Sequence, residues 1–242
     1  MKGIILIFIL NLLLIANSNF KSINLKVTKT KDNKQIDITQ KVKWLISPKG
    51  AVIIDKNILI AKKDINTTIQ AKYKNLSSNR VLLNIYWEVN GHILPPEPDP
   101  KVNNATLLGV DVNKNGVRDD VERKIYEKYK VKLQRVLLID EAKVFQKIAV
   151  KNVNNAIETQ KEVSKIINCE IFLRRIDMKI KLDDFKSIEF LENSTFNNKT
   201  RVRKYLDYNI KLSGGVYGGD YKDINRKACS KEVLKVLEEM GK

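Results

Sequence analysis

One short segment of the chain carries oxygen-bearing side chains at the spacing of a metal-binding loop. Residues 111–122 read DVNKNGVRDDVE and fit the pattern D-x-[DN]-x-[DN]-G-x5-E at every specified position. Calcium takes roughly six to eight hard oxygen ligands, and a glycine at the sixth position allows the sharp turn that gathers them. The sequence therefore predicts calcium as a cofactor, with these ligands: Asp111, Asn113, Asn115, the carbonyl of Val117, Asp119 and Glu122.

The surroundings of this loop are acidic, although the protein as a whole is basic. Residues 97–122 contain six acidic and three basic side chains. Two features differ from a complete EF-hand: Arg118 stands where that family has an aliphatic residue, and residues 101–110 are too short for a full entering helix. The segment resembles instead the exported calcium loops of the thrombospondin type 3 and dockerin kinds. The alternative is an Asn- and Asp-rich turn that caps the following helix and holds no metal.

The chain has two cysteines, Cys169 and Cys229, and one histidine, His92. The cysteine spacing excludes a C-x-x-C redox motif or zinc knuckle. In an exported protein an even cysteine count favours one disulfide, with two unpaired buried thiols as the alternative. The single histidine excludes a histidine-rich metal site and disfavours a hydrolase triad.

The N-terminus has the features of a secretory signal peptide. Lys2 precedes an apolar run over residues 4–15, and the small residues Ala16 and Ser18 mark a cleavage site after Ser18. The run is shorter than a membrane span, and an uncleaved anchor is the alternative. We therefore predict a signal peptide over residues 1–18. The mature protein is expected to be exported, whether periplasmic, secreted or associated with the cell surface, with no membrane span after cleavage.

The net charge of +17 comes mostly from lysine. Of the 45 basic residues, 36 are Lys and nine are Arg, and the lysines are scattered along the chain. Proteins that read nucleic acids favour arginine, whose planar group makes paired hydrogen bonds. The composition favours a solvated basic surface, leaves an anionic partner as the alternative and disfavours nucleic acid.

Residues 19–91 show the period-two alternation of short β-strands. Apolar residues alternate over 42–46, 69–73 and 81–87, and turn residues separate the runs. The stretches 38–44, 51–55, 57–61 and 68–73 resemble a bacterial Ig-like domain, a family common in exported surface proteins and adhesins. The resemblance implies a β-sandwich with a spacer or adhesive role and no particular chemistry.

Four of the five prolines lie between residues 95 and 100, which predicts a stiff, non-helical connector over residues 92–110. The stretch 94–122 also resembles a group of uncharacterised exported bacterial proteins, and this likeness implies a layout without an activity.

Residues 119–242 carry apolar stripes at helical spacing and are predicted to form a helical domain. An irregular connection is expected over 177–198, with a short helix near 184–191, and a glycine-rich loop over 214–219 ends a helix. The predicted fold class is multidomain: an N-terminal Ig-like β-sandwich and a C-terminal, mainly α-helical bundle.

These features favour a non-enzymatic, calcium-binding exported protein that binds a protein or glycan at the cell envelope, in adhesion or a related role. One alternative is an enzyme that acts on glycans with paired carboxylates in the helical domain. A third hypothesis is a basic protein that binds anionic glycans or DNA outside the cell. The acids available for catalysis have ordinary helix-surface spacing and none is singled out: Glu158, Glu162, Glu170 and Asp207.

Overall fold

The structure is a computed structural model that describes residues 6–7, 14–17, 22–31, 34–151, 153–176, 187–217 and 221–241. Its internal packing divides the chain into two compact units, Met1–Glu97 and Pro98–Lys242. The described part of the first unit is mainly strands, and that of the second is mainly helices. The division between the units falls within the proline-rich segment.

The first unit is built from short strands, nearly all of which pair antiparallel. The described strands are β1 (Leu6–Ile7), β2 (Leu14–Asn17), β3 (Ser22–Asn24), β4 (Thr28–Lys31), β5 (Lys34–Asp37), β6 (Lys43–Ser47), β7 (Val52–Asp55), β8 (Ile58–Ala61), β9 (Thr67–Tyr73), β10 (Leu76–Ser77), β11 (Val81–Leu83), β12 (Ile85–Val89) and β13 (His92–Ile93).

Two of the sheets in this unit contribute to one apolar core. In one sheet β9 lies between β6 on one side and β10 and β11 on the other. In the second sheet β8 lies between β3 and β7. The core contains Val52 and Leu59 from the second sheet and Ile69 and Leu83 from the first. The alternation in the sequence therefore places one face of each sheet in a shared interior.

The strand-rich unit continues past the turn at Asn90 and Gly91. These two residues have φ angles of 52° and 78°, which a tight hairpin turn requires, and β13 pairs back on β12. Leu94 is buried, and the backbone N–H of Glu97 donates to Asp64 Oδ1 at 3.3 Å. The first half of the predicted connector is thus packed within the strand-rich unit.

The second unit follows the helical stripes predicted from the sequence. Of the irregular connection expected over 177–198, residues 177–186 lie outside the described residues, and a helix over Ser187–Thr195 occupies most of the rest. The connector over 92–110, which we expected to be non-helical, contains a short helix over Pro100–Asn104 that the side chain of Asp99 caps. The helices are α1 (Pro100–Asn104), α2 (Asp119–Lys128), α3 (Lys132–Val150), α4 (Ala156–Ile176), α5 (Ser187–Thr195), α6 (Lys199–Leu212) and α7 (Lys231–Glu239).

Helix α3 lies at the centre of this unit and packs against α2, α4, α5, α6 and α7. Its residues Leu133, Leu138 and Ala149 are fully buried. Phe196, in the turn between α5 and α6, packs between Phe145 of α3 and Tyr205 of α6, with ring centroids 5.9 Å and 4.4 Å away. The α5–α6 turn is therefore part of the core rather than a surface loop.

Cys169 on α4 and Cys229, two residues before α7, form a disulfide with their Cα atoms 4.8 Å apart. Both cysteines are buried. The pairing predicted from the sequence is confirmed, and it attaches the C-terminal helix to α4 across 60 residues of chain.

None of the described helices combines the length and the apolar character needed to span a bilayer. Within the predicted signal peptide, the described residues are those of β1 and β2, and β2 lies parallel to β12. The predicted cleavage site after Ser18 lies outside the described residues.

Replacing both cysteines, Cys169→Ser with Cys229→Ser, should lower the free energy of unfolding of the helical unit by about 4 kcal/mol, because the unfolded chain gains the entropy of an open 60-residue loop. Urea unfolding followed by far-UV circular dichroism measures the loss. In reducing buffer the wild type should match the variant, and a persistent gap there would show that the serines act through packing instead.

Candidate functional site

Asp111 and Gly116 set the turn of the predicted calcium loop. The Asp111 carboxylate accepts hydrogen bonds from the backbone N–H groups of Asn115 (3.2 Å) and Gly116 (2.9 Å). Lys114 and Gly116 have φ angles of 56° and 87°, in the left-handed region. The loop therefore folds tightly around the carboxylate at its first position.

Glu122, at the twelfth position, accepts hydrogen bonds from the two asparagine side chains. Its Oε2 atom accepts from Nδ2 of Asn113 at 3.0 Å and from Nδ2 of Asn115 at 2.7 Å. Asn115 Oδ1 accepts from the backbone N–H of Val117 at 2.8 Å. Glu122 is 1% exposed. The structure thus brings the first, third, fifth and twelfth positions into one hydrogen-bonded group.

Asp119 adds a buried carboxylate to this group. Both of its carboxylate oxygens accept from the backbone N–H of Val112, at 3.1 Å and 3.2 Å, and its side chain is inaccessible to solvent. Burial raises its pKa to about 6, and repulsion by Asp111 and Glu122 adds to the shift. Negative charge is therefore concentrated inside the loop, where a cation would relieve it.

The donor set fits a hard cation only when the asparagines are included. No three His, Cys, Asp or Glu side chains in the described part of the chain are grouped so that they could hold a metal ion. The predicted set also needs the amide oxygens of Asn113 and Asn115, which now accept from the backbone N–H groups of Asn115 and Val117 while the amide nitrogens donate to Glu122. These amides present NH2 groups to the carboxylate, so ion binding would require them to rotate and present oxygen.

Arg118 anchors the loop to the helices, a role that the sequence did not reveal. The residue is fully buried. Its guanidinium donates to the backbone carbonyls of Thr195 (3.1 Å) and Ser194 (2.8 Å), at the end of α5, and forms an ion pair with Asp120. The basic residue that departs from the EF-hand pattern thus attaches this loop to a distant turn.

Arg201 holds the segment that leads into the loop. Its five N–H groups donate within hydrogen-bonding distance, its side chain is inaccessible, and burial next to Arg118 lowers its pKa to about 10. The acceptors are the carbonyls of Asn103 (2.6 Å), Thr106 (3.0 Å) and Leu107 (3.2 Å) and the side-chain oxygens of Asn104 (3.0 Å) and Asn197 (2.8 Å).

Gly109 makes room for these anchors. Its φ angle is 69°, and a Cβ atom there would lie 2.2 Å from Cδ of Arg118 and 2.7 Å from Oδ1 of Asn103. Any larger residue would displace the buried arginine. In the sequence, the glycine itself was the one local indication that other side chains pack closely against the backbone at this position.

The four acids considered for catalysis have the surroundings of ordinary surface residues. Glu158 and Asp207 are exposed, Glu162 pairs with Lys147, and Glu170 pairs with Arg174 on the same helix.

Glu141 on α3 is a buried acid that the sequence pattern did not single out. It is 4% exposed, and burial raises its pKa to about 7, with Glu170 and Glu192 adding repulsion and a hydrogen bond from Ser187 opposing the shift. Because it is enclosed, Glu141 is not presented to a substrate.

Comparison of the sequence with known protein families and with curated proteins gives no match. The functional argument therefore depends on the geometry of the loop, its anchors and the surface of the helical unit.

Arg201→Lys should lower the free energy of unfolding by about 3 kcal/mol or more, because one ammonium group cannot satisfy acceptors that five guanidinium N–H groups now reach. Arg203→Lys, at an exposed position on the same helix, is the matched control and should change stability by less than about 0.5 kcal/mol. Denaturant unfolding of the two variants makes the comparison, and equal losses would show that Arg201 is not an anchor.

Glu141→Gln should flatten the pH dependence of stability. The pKa of Glu141 is raised from 4.5 to about 7 by folding, so the folded state binds a proton more tightly than the unfolded state. Its contribution to stability is fully present below about pH 4.5 and is lost as the pH rises through 7. Unfolding free energies measured from pH 4.5 to 7.5 should fall less in this variant than in the exposed control Glu158→Gln. The same slope in both variants would contradict the assignment.

Proposed function

We propose that the chain is an exported, non-enzymatic protein that binds calcium in the loop 111–122 and acts in adhesion or partner binding at the cell envelope. The observation that carries the proposal is the convergence of Asp111, Asn113, Asn115 and Glu122 beside the buried carboxylate of Asp119. The carboxylates offer the hard oxygen atoms that calcium prefers, and the two amides would offer theirs after rotation.

The proposed role of calcium is structural. Arg118 and Arg201 already fix the loop and the segment before it, so the ion would order few further residues. Binding would replace the two amide donors at Glu122 and offset the repulsion around Asp119. The ion would then stiffen the start of the helical unit, where the chain leaves the proline-rich connector.

The expected affinity is weak. Two of the side-chain ligands are neutral asparagines, and a lower charge count weakens calcium binding. We expect a dissociation constant on the order of 10⁻⁴ to 10⁻³ M, which suits the millimolar calcium of extracellular surroundings. At such concentrations the ion would contribute about 1 kcal/mol to the stability of the helical unit.

The adhesive part of the proposal depends on the finer fold assignments. Two sheets with a common core support an Ig-like β-sandwich in the first unit. Helices arranged around α3 support a bundle in the second. The signal-peptide pattern and the Cys169–Cys229 disulfide support export to an oxidising compartment.

The glycan-cleaving alternative has less support from the geometry. A glycosidase needs two carboxyl groups roughly 5 to 10 Å apart and open to the substrate. Glu141 has a suitably raised pKa but is enclosed, and Glu170 is held by Arg174.

Millimolar calcium should raise the melting temperature of the helical unit relative to chelator. Asp111→Asn and Glu122→Gln should each abolish this rise, because they remove ligand charge while preserving side-chain shape. Differential scanning calorimetry with and without calcium, together with calorimetric titration of calcium, gives both readouts.

Asp207→Asn, which removes an exposed acid outside the loop, should retain the full calcium effect. Identical wild-type melting temperatures in calcium and in chelator, with no heat on titration, would overturn the proposed calcium site. The loop would then be a hydrogen-bonded turn that leads into α2 and holds no metal.

A further inference from the structure

A groove of about 650 Å³ runs along α4 in the helical unit. One wall is formed by α4, and the other by residues 216–217 and 223–228. Its volume lies in the range of about 300 to 1,000 Å³ that is typical of small-ligand sites. Because no residue of the calcium loop lines it, the groove is separate from that candidate site.

The charge of the groove is positive. Lys161 and Lys165 lie one turn apart on α4 and are exposed, and Lys227 lines the opposite wall. Asp223 is the one acidic residue among the lining residues that the structure describes. None of the three lysines forms an ion pair with another described side chain. An anion in the groove would therefore meet three ammonium groups that have no ion-pair partner among the described side chains.

The groove also offers neutral groups suited to hydroxyl-bearing ligands. Gln160, Asn168 and Asn225 carry amides, which both donate and accept hydrogen bonds. The hydroxyl of Tyr208 donates to Gln160 Oε1 at 2.5 Å, which fixes that amide and directs its NH2 group away from Tyr208.

An aromatic ring completes this lining. Tyr217 is 39% exposed and its ring lies against Gly215, where an added Cβ atom would come within 2.3 Å of the ring. The tyrosine is thereby held as a flat apolar surface at the edge of the groove.

The disulfide joins the two walls. Asn168 and Ala228 line the groove, and each directly precedes one of the bonded cysteines, whose Cα atoms are 4.8 Å apart. The spacing of the walls is therefore set by a covalent link and not only by packing. Such a site loses little conformational freedom when a ligand binds.

From these features we infer that the groove binds an anionic oligosaccharide, with the lysines facing its carboxylate or sulfate groups and the amides facing its hydroxyls. The ring of Tyr217 would pack against an apolar sugar face. Lysine has a compact charge and cannot make the paired, planar hydrogen bonds of arginine. It is therefore better suited to scattered anionic groups than to base edges or to phosphates that are bound through paired contacts. This inference rests on the proposed partner-binding role and names the class of partner.

The test is calorimetric titration of the purified protein with a heparin-derived hexasaccharide, with maltohexaose as the neutral probe and a 12-base-pair DNA duplex as the polyanion probe. The hexasaccharide should bind, more weakly as salt increases, and maltohexaose should not. Replacing Lys161, Lys165 and Lys227 by Glu should weaken hexasaccharide binding at least tenfold. Tyr217→Ala should weaken it several-fold while leaving the salt dependence unchanged.

The matched control replaces three exposed lysines outside the groove by Glu: Lys124, Lys199 and Lys211. This variant has the same net charge as the groove variant, so it should retain most of the binding. Equal losses in the two variants, or DNA that binds as tightly and with the same dependence on the groove lysines, would overturn the inference. Retained melting temperatures show that each variant is folded.

The two proposals fail separately. Calcium-dependent stabilisation measured in the groove variant should equal that of the wild type. A calcium effect without hexasaccharide binding would refute the groove alone, and hexasaccharide binding without a calcium effect would refute the calcium loop alone.

Discussion

Buried guanidinium groups that replace water at backbone carbonyls hold the irregular parts of the helical unit in place. A helix satisfies its own carbonyls, but a turn packed against a core leaves carbonyls that water cannot reach. Three buried arginines reach such carbonyls: Arg118 at residues 194 and 195, Arg135 at residues 129 and 130, and Arg201 at residues 103, 106 and 107. An unpaired buried charge would be strongly destabilising, so these sites depend on nearly complete sets of hydrogen bonds.

This arrangement explains why a loop with few charged ligands could still serve as a calcium site. A flexible loop would lose much conformational entropy when it closed on an ion. Here the loop is closed by hydrogen bonds to Asp111 and Glu122 and attached to α5 through Arg118, so the proposed ion would not have to close it. The ion would need to compensate only for the rotation of two amides and its own dehydration. Weak binding could then have a useful effect on rigidity.

The sequence predicted what depends on local periodicity and spacing. The alternation in 69–73 became part of strand β9, the apolar stripes after residue 119 became helices such as α3, and the two cysteines formed the predicted disulfide. The parts it missed depend on long-range contacts. Arg118 looked like a departure from a loop pattern because its acceptors lie 76 and 77 residues away, and Arg201 serves carbonyls up to 98 residues away. No local sequence pattern indicates hydrogen-bond partners this far apart in the chain.

Arginine and lysine differ in where they lie in the folded protein. Four of the nine arginines are buried, at positions 118, 123, 135 and 201, whereas no lysine is buried in the part of the chain that the structure describes. A guanidinium group can satisfy several fixed acceptors at once and is less strongly hydrated than an ammonium group, so it tolerates the interior. Lysine remains in water and can change without loss of fold. In the described part of the chain, the excess positive charge is therefore carried mainly by residues outside the core. Lys161, Lys165 and Lys227 are lysines of this kind along the groove, and the proposed recognition of an anion would give them a role that packing of the core does not require.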